Sequence, residues 1–141
     1  MIEHQYVILK TNWGINIKIC AEYTDFDNVY LKSGGVKIVD GLWLKYADKF
    51  LIKHKRFYAG DFPYLMKGLE IVQKSIINNS IYKNTLIIIC DIQYNLCDFQ
   101  EEGLIVAMIE WAAKAFDFEP PKINASFEKQ ENRYIFDFPN S

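Results

Sequence analysis

In residues 96–118, Leu104, Ala107, Met108, Trp111, Ala112, Ala115 and Phe116 recur at three- and four-residue spacings, with Glu110 and Lys114 on the other side. That period aligns one stripe of side chains along a helix and turns it toward a core. Asp98 stands where an N-cap would accept from the first-turn amides, and Glu101 follows at the capping-box spacing. Pro120 and Pro121 end the run. Met108 and Trp111 lie on the stripe, so they read as packing groups rather than ligand-binding ones.

Elsewhere the pattern alternates. Ile15, Ile17, Ile19 and Ala21 interleave with Asn16, Lys18, Cys20 and Glu22, the period of a half-buried strand. Strand character also marks residues 6–9 and 29–31, and the pair Val36, Ile38 and Leu42, Leu44, Tyr46 around the turn dipeptide Asp40-Gly41. Residues 50–57 alternate with poor sidedness and predict an edge or bent strand. A helix is predicted from Phe62 through Leu65, Met66, Leu69, Val72 and Ile76, with Asp61 as cap and Pro63 in the first turn. Leu86 to Cys90 is an unbroken apolar run, which predicts a central strand buried on both faces. Residues 123–127 and 133–138 predict a terminal hairpin. The order gives an α+β fold, two helices on one face of a mainly antiparallel sheet, in a single domain spanning 1–141.

Composition adds few constraints. The 141 residues are 50% hydrophobic and 24% charged, ordinary for one globular domain, and aromatic content is high at 16%. A net charge of −2 argues against a protein whose main business is nucleic acid, where a basic footprint is expected. Cys20, Cys90 and Cys97 match no zinc spacing; they read as free thiols, which makes the reducing cytoplasm the default compartment. No secretory signal opens the sequence, and the longest apolar run is far too short to span a bilayer.

Candidate chemistry is sparse. His4 and His54 have no Cys or carboxylate at ligand spacing, so no metal site is predicted. Ser33-Gly34-Gly35 lacks the lysine and helix of a phosphate loop and reads as a turn. Lys53, His54, Lys55 and Arg56 form a basic run that could hold phosphates, or could be an edge protected by charge. Glu22, Asp25 and Asp27, with Glu102 further on, could form an acidic docking face for a basic protein. No catalytic constellation and no cofactor motif emerges, so an enzyme is not expected. A pocket uniting Asp91, Cys97 and His54 would be needed to suggest one.

Two resemblances sharpen these expectations. Gly60, Pro63 and Gly68, the apolar run from Leu86 to Cys90, Asp98 and Glu101, and Ala112 and Ala115 together resemble the fourth domain of bacterial elongation factor G. The resemblance covers less than half the chain. It implies a split β-α-β arrangement with a left-handed crossover, as in ribosomal-protein domains of this kind. In function it implies an RNA- or ribosome-binding module, for which the basic run Lys53, Lys55 and Arg56, just ahead of the resembling stretch, would supply the contacts. Nothing resembles that factor's GTPase domain. The run Asp98-Phe99-Gln100-Glu101-Glu102-Gly103-Leu104, ahead of the Trp111 helix, is similar to small immunity proteins encoded beside bacterial polymorphic or contact-dependent toxins. That resemblance implies a cytoplasmic protein without cofactor or membrane anchor, which neutralises a cognate toxin domain by direct contact. Glu22, Asp25, Asp27 and Glu102 are then the expected partner-binding residues, and this is the leading expectation.

Overall fold

The alternation in the first third of the chain becomes two hairpins. The computed structural model describes residues 1–9, 13–28, 34–51 and 59–139, with the backbone of 52 and 53. β1 (Ile2–Ile8) and β2 (Ile15–Asp25) pair antiparallel, as do β3 (Val36–Val39) and β4 (Leu42–Tyr46). Gly41 turns the second hairpin at φ +93°, a backbone conformation that side chains rarely tolerate. β5 (Thr85–Gln93) enters between the hairpins, antiparallel to β2 and parallel to β4, which gives the order β1-β2-β5-β4-β3.

A parallel pair needs a long crossover. Here it contains α1 (Asp48–Lys53), α2 (Phe62–Ile71) and α3 (Gln73–Asn79). After β5 come α4 (Glu102–Phe116) and a separate hairpin, β6 (Asn124–Glu128) with β7 (Arg133–Asp137). The fold is α+β, and α2 and α4 pack on one face of the five-stranded sheet.

The core lies between that face and the helices. Ile15, Ile17, Ile19 and Ala21 of β2, Leu42 and Leu44 of β4, and Ile87 and Ile89 of β5 meet Leu65 and Leu69 of α2 and the apolar residues of α4. α4 is more deeply buried than a single stripe predicts, because Ile105, Val106 and Ile109 are covered as well. A helix apolar on all sides belongs in an interior, and α4 is flanked by the sheet and by α2.

Gly68 sets the closeness of the two helices. A Cβ there would lie 2.7 Å from the Ile105 carbonyl oxygen and 3.0 Å from Met108 Cβ. Gly68→Ala should therefore destabilise the fold, although alanine is the better helix former. A loss of about 1–3 kcal/mol is expected from forced separation of α2 and α4. Urea unfolding measures it, and equal or higher stability would refute the close approach.

Several expectations are corrected. The stretch around Phe50 is helical, not a strand: Phe50 is buried against Tyr46 while Leu51 is exposed. The remainder of that predicted strand, and the strand expected at 29–31, fall outside the described residues. The helix after Asp61 is divided at Val72, whose φ of −108° and ψ of 16° separate α2 from α3. Asp61 makes no capping bond; it is buried and accepts a hydrogen bond from Tyr94 Oη at 2.8 Å.

Asp98 closes a 3₁₀ turn rather than capping α4, and no capping box forms. The Gly103 and Leu104 amides instead donate to the Gln100 and Glu101 carbonyls, so backbone takes the place of side-chain caps. Finally, β4 and β5 are adjacent, so the two strands joined by the helical crossover are not split by a third.

Candidate partner-binding face

Among the described residues the helices cover one face of the sheet, and the opposite face carries none. Its residues follow from the alternation. Leu42, Leu44 and Tyr46 point into the core, which turns Trp43 and Lys45 outward. Ile19 and Ala21 point inward, which turns Glu22 outward, opposite Ile88.

At the Asp25 end of β2 the chain turns. The Asp27 amide donates to Asp25 Oδ1 at 3.0 Å, and the Asn28 amide donates to the Asp25 carbonyl. This is the local turn that Asp favours. Asn84 Nδ2 donates to Asp27 Oδ2 at 2.9 Å, which fixes the turn against the start of β5. Phe26, between the two acids, stacks on Trp43 with ring centroids 3.9 Å apart and planes 7° from parallel. Asp25 and Asp27 thus flank the aromatic pair at one end of the sheet, with Asp27 exposed, and the exposed Glu22 lies three residues back along β2, opposite Ile88 and beside Cys90.

Glu102 is elsewhere. It sits beside Gly103, whose Cβ position would meet Ile15 and Ile17 at the other end of β2. At about 3.3 Å per strand residue, the eight residues from Ile17 to Asp25 span roughly 26 Å, so Glu102 and Asp25 lie at opposite ends of β2. Both Glu102 oxygens accept from Arg133 Nη2, the Oε1 contact at 2.6 Å, and Gln100 Nε2 donates to Oε2 at 2.8 Å. It ties β7 to the start of α4 and is not an available carboxylate. The acidic set predicted from sequence is therefore three residues toward one end and one structural residue at the other.

The side chains of Lys53, His54, Lys55 and Arg56 lie outside the described residues, so the basic run has no geometry here. The alignment of Asp91 and Cys97 with His54 falls outside it for the same reason. His4 does have a partner: its Nε2 lies 2.7 Å from Glu110 Oε1 on α4. Beside them, burial, then Glu110, then Tyr134 push the Tyr6 phenol up to about 12, so it stays protonated at neutral pH. These groups bind β1 to α4. No group of three or more His, Cys, Asp or Glu among the described residues is arranged to hold a metal ion. No helix among them is long and apolar enough to cross a membrane.

The residue that sequence reasoning overlooked is Trp43. Its position between Leu42 and Leu44 already turned it away from the core, and that signal was legible. Its stacking on Phe26 was not, because a turn residue carries no periodicity. Comparison of the chain with protein-family models gave no match, and comparison with curated proteins gave none either.

Proposed function

We propose that this chain is an immunity-type binding protein, acting in the cytoplasm, that neutralises a basic toxin domain by direct contact through the Asp25 end of its helix-free sheet face. The observation that carries this reading is the Phe26–Trp43 stack at that end, with the exposed Asp27 carboxylate beside Phe26 and the exposed Glu22 further along β2. Aromatic anchors with a charged rim are what protein interfaces use. A rim of one sign steers an oppositely charged partner and sets its orientation. Glu102 drops out of the contact set, because Arg133 already holds it.

An RNA- or ribosome-binding module is the second reading, and it draws on Lys53, Lys55 and Arg56. It is the less favoured, because Glu3, Glu22 and Asp91 lie on or beside the helix-free face and repel phosphate.

The test is binding to the product of the neighbouring gene and protection of cells that express it. The double substitution Glu22→Lys with Asp27→Lys should weaken the complex about 10–100-fold at low salt, chiefly through slower association. The deficit should shrink as salt rises. Glu102→Gln, at the far end of β2, should leave affinity unchanged. Wild-type protein that neither binds nor protects cells from the toxin would overturn the reading.

A further inference from the structure

One irregularity in the sheet brings two thiols together. The β2–β5 register pairs Cys20 with Asp91 and Ala21 with Ile89, so Cys90 is the extra residue of a β-bulge. Ile19, Ala21, Ile89 and Ile92 all enter the core, which places Cys20, Cys90 and Asp91 on the helix-free side. In a bulge two residues of one strand face a single residue of the other, so Cys90 as well as Asp91 stands against Cys20. Residues facing one another across antiparallel strands have Cα atoms about 4.5–5.5 Å apart. A disulfide spans about 4.4–6.8 Å. Both thiols are free.

We infer that Cys20 and Cys90 form a reversible intramolecular disulfide, which ties β2 to β5 across the bulge. The inference is independent of the proposed partner.

Its chemistry follows from the surroundings. Cys90 is half-buried and Cys20 is buried, so Cys90 meets an oxidant first. Taking a small disulfide reagent as oxidant, the Cys90 thiolate attacks one reagent sulfur. The reagent S–S bond breaks, and the first leaving thiolate takes up a proton. The Cys20 thiolate then attacks the Cys90 sulfur and expels the second reagent thiolate. Two protein thiols are oxidised and one reagent disulfide is reduced to two thiols.

The first step is slow at neutral pH, since burial, then Glu22, Cys20 and Asp91 push the Cys90 thiol up to about 11, against a lowering by the α-amino group. Cys20 is raised by burial, Glu3 and Asp91, against the α-amino group and Lys18. On the remaining neighbour, β4, Lys45 is opposite Ile88. The carboxylates also repel anionic oxidants, so a neutral one is faster.

The experiment incubates the full chain with 2-hydroxyethyl disulfide at pH 7, 8 and 9 and maps peptides by non-reducing mass spectrometry. A Cys20–Cys90 linkage is expected, forming about tenfold faster per pH unit because thiolate is the nucleophile. The exposed Cys97 should stop at a mixed disulfide. The linked protein should melt several degrees higher, since the cross-link closes a long loop, and dithiothreitol should reverse the gain. Cys97→Ser should leave linkage and gain intact. Cys90 halted at a mixed disulfide, Cys20 and Cys90 unmodified while Cys97 reacts, or linkage through Cys97 would each overturn the inference.

Discussion

Trp111→Ala is expected to lower the stability of the fold by about 3–5 kcal/mol, the range for truncating a buried tryptophan. For a domain of this size that is a fall in melting temperature on the order of 10–20 °C. Trp111 is fully buried in α4, meets Phe116 edge-on, and donates from Nε1 to the Ile2 carbonyl at 2.9 Å. Its removal leaves a cavity and a β1 carbonyl without its donor. Trp111→Phe separates the two effects. It refills most of the cavity but loses the donor and part of the indole, and should cost about 1–2 kcal/mol. Thermal unfolding followed by circular dichroism measures both. A loss below about 1 kcal/mol for the alanine variant would mean that β1 is not held to α4 through this side chain.

Gln100→Glu changes one atom and should cost about 3–5 kcal/mol at pH 8. Gln100 is only 7% exposed. Its Oε1 accepts from the Tyr134 amide at 2.8 Å, and its Nε2 donates to the Tyr134 carbonyl at 2.7 Å. The amide therefore pairs with β7 as a neighbouring strand would. The same Nε2 donates to Glu102 at 2.8 Å. Replacing that nitrogen by a carboxylate oxygen sets a buried negative charge against two acceptors.

The sign of the pH dependence follows. The introduced carboxyl has a folded-state pKa raised by burial and by Glu102, so the penalty is smallest below its unfolded value near pH 4. The penalty grows as pH rises through the folded value. Urea titrations at pH 4.5 and pH 8 should show the variant closest to wild type at the lower pH. A penalty independent of pH would mean that the side chain is not buried against Tyr134.

Much of this fold was legible in the sequence. The strict alternation of Ile15, Ile17, Ile19 and Ala21 fixed which face of β2 is buried, and the unbroken run in β5 placed that strand at the centre of the sheet. What escaped was decided by tertiary neighbours. Phe50 and Leu51 alternate as a strand would, yet the chain turns there as a helix because only Phe50 finds a place beside Tyr46. Asp98 and Asp61 have the right chemistry for caps. Backbone carbonyls satisfy the first turn of α4, however, and Tyr94 claims Asp61 from more than thirty residues away.

The candidate face was half legible for a similar reason. Glu22, Asp25 and Asp27 are near in sequence and stay near in space. Glu102 was grouped with them on charge alone, and its ion pair with Arg133 crosses from helix to terminal hairpin, a distance no local pattern encodes.

The position of β5 also bears on how the chain is made. Its neighbours β2 and β4 both precede it, and thirty-eight residues separate the end of β4 from the start of β5. At about 5–20 residues per second, the ribosome takes some 2–8 s to cross that interval. Throughout it, both hairpins wait with their inner edges unpaired, each a template for a strand from another nascent chain. The sheet closes only when the most apolar segment of the protein arrives to fill the gap. Slower translation between β4 and β5 should therefore lengthen that exposure and favour aggregation, without altering the stability of the finished fold.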